Sequence, residues 1–96
     1  MADLARMLRR HEGRRLARAL QKMDAVQLAR ELDNFAPEDQ DQILQILPVE
    51  RRAAVFAELR YETAADIMRR LAPQEAADIL DDLEHDDVAD ILGRLE

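Results

Sequence analysis

The chain has 96 residues, 48% hydrophobic, 36% charged and 3% aromatic, with two glycines and no cysteine. That is the size of one small domain; its apolar content is carried by Leu, Ile, Val, Ala and Met, which favour helix, and the lack of thiols excludes a disulfide framework and a thiolate metal site. The formal charge of −7 is unevenly divided, since residues 1–30 hold eight cations and three acids (net +5) and residues 31–96 hold six and eighteen (net −12); an acidic chain whose basic segment has no aromatic side chain is ill suited to nucleic acid.

The first stretch, Met1 to Arg10, is amphipathic, with arginines throughout, and lacks the continuous apolar core of a signal peptide. Nowhere does an apolar run approach the 18 or so residues of a membrane span, and the cytoplasm is the default compartment. The cluster Arg6, Arg9, Arg10, Arg14, Arg15 and Arg18 reads as a solvated helix face or as a docking face for an acidic partner. Gly13 is expected to end the first helix in a left-handed conformation, and Asp24 with Gln27 forms a cap and its N3 partner.

From Ala36 the chain divides without gaps into twelve-residue units: APEDQDQILQIL, PVERRAAVFAEL, RYETAADIMRRL, APQEAADILDDL and EHDDVADILGRL. The eighth position is Ile43, Val55, Ile67, Ile79 and Ile91, and the twelfth is Leu47, Leu59, Leu71, Leu83 and Leu95. Extended backwards, the frame keeps apolar residues at positions five, nine and twelve (Leu16, Leu20, Met23; Leu28, Leu32, Phe35). Positions 5, 8, 9 and 12 are spaced i, i+3, i+4 and i+7, one stripe of a helix. Pro37, Pro48 and Pro73 set the phase, because proline is tolerated in a first turn and breaks a helix interior. Ala36 and Ala72 are poor caps, partly offset by the acids that follow them.

A helix of roughly nine residues is too short to persist alone, so the units must stack. The expectation is an all-α, solenoid-like domain over residues 1–96, more elongated than a globule and held mainly by nearest-neighbour contacts. Small residues at position six (Ala29, Ala53, Ala65, Ala77, Ala89) are expected to let neighbours approach closely. The last unit leaves Ile91, Leu92 and Leu95 without a following helix, and either a symmetry-related chain or a segment folding back is expected to cover them.

Catalysis finds no support: the chain has no Ser or Cys, one Thr (Thr63), one Lys (Lys22), no glycine-rich loop, and two unrelated histidines, His11 and His85, that read as surface residues. Carboxylates are the abundant group. Position seven repeats Asp66, Asp78 and Asp90, which stacking would align in a column, and Glu84, Asp86, Asp87 and Asp90 gather in the last unit. Asp86 and Asp90, at i and i+4, make a chemically adequate half of a divalent-cation site.

The cadence Leu-x-Pro-Glu followed by Ala-x-x-Leu/Ile-Leu-x-x-Leu, and above all HDDVADIL at 85–92, resembles the N-terminal domain of MgtE-type magnesium transporters. The likeness runs from about Leu4 to Leu95. It implies a right-handed superhelix of short helices, followed in the complete transporter by paired CBS modules and a pore domain, neither of which this sequence contains. It further implies a domain on the cytosolic face of the inner membrane, in a homodimeric transporter, that senses Mg2+ through ions bridging its acids to the CBS modules and favouring the closed pore. By position the metal-contacting acids fall on Asp86 and Asp90, another family acid falls on Ala54, and the His-Pro pair often found before the third helix is replaced by Met23-Asp24. Mg2+ is expected to bind the isolated domain weakly and to need a partner. A protein-interaction solenoid without ion sensing, like the helical repeats of flagellar motor switch proteins, is the alternative.

Overall fold

A computed structural model of the chain describes residues 3–95. Among them are eight α-helices and no strand: α1 (Leu4–Arg9), α2 (Gly13–Gln21), α3 (Ala25–Asn34), α4 (Pro37–Ile46), α5 (Val49–Glu58), α6 (Tyr61–Arg70), α7 (Pro73–Asp81) and α8 (His85–Leu95). From α4 onward each helix falls inside one twelve-residue unit. The prolines start them as their chemistry requires, Pro37 and Pro73 in the first turn of α4 and α7 and Pro48 as the residue before α5. Asp24 and Gln27 form the reciprocal capping box, at 2.8 and 2.9 Å, whereas Ala36 and Ala72 make no side-chain cap bond.

The first turn corrects the reading of Gly13, which lies inside α2 as its first residue. His11 takes the left-handed conformation instead, with φ of 56°. Its N–H donates to the Leu8 carbonyl at 3.2 Å and the Glu12 N–H to that of Met7 at 3.0 Å, the paired bonds of a Schellman motif.

The units are joined by corners in which the last residue of one and the first of the next are both extended, as at Phe35–Ala36, Leu47–Pro48, Leu59–Arg60 and Leu71–Ala72. Two extended residues advance the chain about 6 to 7 Å, less than the 8–10 Å between the axes of packed helices. Consecutive helices therefore meet mainly at corners, and from α3 onward the extensive contacts skip one helix: α6 on α8, α3 on α5, α5 on α7 and α4 on α6, while α1 also packs on α4. This replaces the expected nearest-neighbour stacking; among the described residues the only consecutive pair with extensive contact is α1–α2, whose connector holds His11. Ion pairs skip in the same way, Arg52 to Glu75, Arg70 to Asp41 and Arg94 to Glu62. The chain folds back into two rows, so elongation is slight: 36 × 22 × 21 Å with a radius of gyration of 12.9 Å, against about 12.5 Å for a compact globule of this length.

The eighth position forms the spine of the core, with Ile43, Val55, Ile67, Ile79 and Ile91 all buried. Ile91 is fully enclosed by the chain's own packing of α8 on α6, and Leu95 is half-buried, while Leu92 stays 43% exposed. At position six, Ala29, Ala53 and Ala65 are buried but Ala77 and Ala89 face solvent. Two polar residues stand in the apolar stripe and satisfy helix ends: Gln40 donates to the Leu32 carbonyl at 2.8 Å and Arg52 to that of Leu44 at 2.9 Å. Arg51 holds the Leu20 and Met23 carbonyls at the end of α2 in the same manner.

Candidate functional site

The acids of the last unit are set out by α8, whose first turn carries Asp86 and Asp87 where the positive end of the helix dipole favours them. Burial of Ile91 fixes the rotation of the helix. That orientation turns Asp87 inward, half-buried, and leaves Asp86 and Asp90 exposed one turn apart. Neither is paired with a cation among the described residues, although seven acid–base pairs form elsewhere.

Behind this edge sits Tyr61 of α6. Its hydroxyl donates to Asp87 Oδ1 at 3.3 Å. The carboxylates of Asp90 and Asp87 hold the phenol above its ordinary value of 10.0, by hydrogen bonding and by their charge. The Arg94 guanidinium lies 5.6 Å from the centre of the ring and bonds Glu62 at 3.3 Å. Glu62 is held below its ordinary 4.5, first by its own backbone N–H and then by Arg94.

The expected acidic column does not form. Asp66 pairs with Arg69, Asp78 accepts from Gln74 at 2.9 Å, and Asp90 lies by Tyr61. Because α7 packs on α5, it does not stand between α6 and α8. Among the described residues no three acids or histidines converge closely enough to hold a metal ion. His11 and His85 are both exposed.

A feature that the sequence reading missed lies beside α8. Glu50, Ala54 and Glu58 follow one another at i, i+4 and i+8 on α5, so Ala54 has a glutamate one turn to either side. They line an open groove of about 750 Å³ whose far wall brings Asp82, Glu84 and Asp87. The i, i+4, i+8 spacing was present in the sequence as a signal; the facing of α5 and the α7–α8 corner was not.

The α8 edge presents two carboxylates one turn apart. A hard cation such as Mg2+ takes six oxygens in octahedral array, keeps several waters, and accepts one or two carboxylates from a protein. Asp86 and Asp90 match that donor chemistry in type and number, and among the described residues no third acid or histidine joins them.

No helix is long and apolar enough to cross a membrane among the described residues. The family model for the MgtE intracellular N domain matches residues 23–96, from the turn between α2 and α3 through the last unit. No curated protein and no solved structure matches the chain.

Proposed function

Because the chain belongs to the family of the MgtE intracellular N domain, we propose that it is a regulatory part of a magnesium transporter, sensing cytosolic Mg2+ and gating the pore by docking on CBS modules. The observation that carries the reading is the exposed pair Asp86 and Asp90 at the edge of α8, which among the described residues forms no ion pair. Two carboxylates one turn apart repel each other and bind a divalent ion weakly. Facing further acids of a CBS module they would repel those too, and ions entering the gap would convert repulsion into attraction. Ion occupancy then favours the docked state by its differential affinity for it. Glu50 and Glu58 support the reading at Ala54, since they keep negative charge on the face of α5 where the family's acid is missing.

The test joins this chain to a CBS pair and follows protease cleavage of the linker between them. Mg2+ should protect the linker, and Asp86→Asn with Asp90→Asn should reduce that protection with the helical content unchanged. A double variant that responds to Mg2+ as the parent does would remove the sensing role and favour an interaction solenoid without ions.

A further inference from the structure

The basic segment has no part in the reading above. Residues 1–22 precede the family match, and with seven cations and two acids they supply the whole +5 charge of the first thirty residues. Folding arranges them with purpose: α1, α2 and α3 enclose an open groove of about 620 Å³. Leu4, Met7 and Met23 provide apolar floor, and Arg18, Lys22 and Arg30 stand on the rim. Glu31 is the one acid there, and Arg15, also on the rim, is engaged by Glu12 at 3.3 Å. The rim side chains of Arg18, Lys22 and Arg30 are exposed and form no ion pair among the described residues. An apolar floor under unpaired cations fits a convex, acidic, amphipathic element.

The chain itself carries such an element at its other end. Around α8 the exposed arc runs from Leu92, through Ala89 and Gly93, to Asp86 and Asp90. The middle of this ridge is small, and a Cβ at Gly93 would meet nothing within 4 Å, so another surface can approach the backbone closely. Acids form one flank and an exposed leucine the other. At eleven residues α8 is about 16 Å long, and α2, the nine-residue wall of the groove, is about 13 Å.

We propose that the α1–α3 groove docks the outer face of α8 from a second copy of this chain. Charge complementarity selects that occupant: the groove belongs to the +5 segment, and α8 to the −12 remainder of the same sequence. The contact joins two different surfaces, so it is heterologous, and each added copy still offers a free groove unless a ring closes. It uses the carboxylates of the ion-sensing reading without resting on that reading, because Arg18 and Arg30 lie on separate helices from Asp86 and Asp90.

Sedimentation of the purified chain tests this at about 50 mM and about 500 mM salt, where the screening length falls by roughly threefold. The wild type should gain mass with concentration at low salt and lose that gain at high salt. Arg18→Glu with Arg30→Glu should weaken the association more than about tenfold, as should Asp86→Lys with Asp90→Lys, since each puts like charges face to face. Circular dichroism should show both variants as helical as the parent. Mixed together, the two variants bring opposite charges face to face at both contacts, the intact groove with the intact α8 and the reversed groove with the reversed α8, so the mixture should regain the association that neither variant shows alone. A wild type that stays monomeric throughout overturns the proposal, as does association that survives the Arg18→Glu/Arg30→Glu change. Binding to vesicles of anionic phospholipid without self-association would assign the groove to lipid and overturn it equally.

Discussion

Replacing Ile91 with Ala measures how firmly the last unit is folded back on the rest. Ile91 is fully buried where α8 packs on α6, and the change removes three carbons. At about 0.8 kcal/mol per buried methylene the transfer loss is about 2.4 kcal/mol, and incomplete collapse of the cavity brings the expected cost to about 3 to 4 kcal/mol. Leu92, one residue along and 43% exposed, is the internal control. The same three carbons removed there should cost about 1 kcal/mol or less. With an unfolding entropy near 0.2 kcal/mol/K for 96 residues, the first change lowers the melting temperature by roughly 15 °C or more and the second by about 5 °C or less. Urea titration followed by circular dichroism gives both free energies, and an unchanged slope would show that the unfolded reference has not moved. Equal costs for the two variants, or an Ile91→Ala cost below about 1 kcal/mol, would refute the self-covered end.

His11→Gly should stabilise the chain by about 0.5 to 1 kcal/mol, because a non-glycine residue at a φ of 56° is strained and glycine is not; the same urea titration checks it. Tyr61 is the only tyrosine and the chain has no tryptophan, so its phenolate absorbance can be titrated directly. The apparent pKa should lie above 10.0 and fall towards it in Asp90→Asn. Since the folded value is the raised one, this contribution to stability is present below pH 10 and is lost as pH rises through the folded pKa.

The parts of this fold legible in the sequence are those set by local periodicity. The isoleucine and valine of position eight were identifiable as core because a 3.6-residue period leaves one face for them, and every one of them is buried. The prolines and the Asp24 cap act within four residues of chain, so their positions could be read too. What escaped was decided at longer range. Gln40 and Arg52 look like defects in an apolar stripe until the carbonyls of Leu32 and Leu44 face them. Ile91 looked exposed because no helix follows it in the unit pattern, whereas its partner lies two helices back. Gly13 was favoured as the left-handed residue on propensity alone, and the actual Schellman geometry falls on His11, two residues earlier. In the candidate site, Asp86 and Asp90 were legible as an i, i+4 pair, while the Tyr61–Asp87 bond spans 26 residues and had no local signal.

Contacts that skip one helix give the array a parity. The helices α3, α5 and α7 follow one another in one row and α4, α6 and α8 in the other. Removing a single repeat would move every later helix into the opposite row, against side chains it was not shaped to meet. Excising two consecutive repeats returns each helix to its own row. A lineage that lengthened or shortened this array should therefore have changed it by pairs of units, and a designer trimming it should cut in pairs as well.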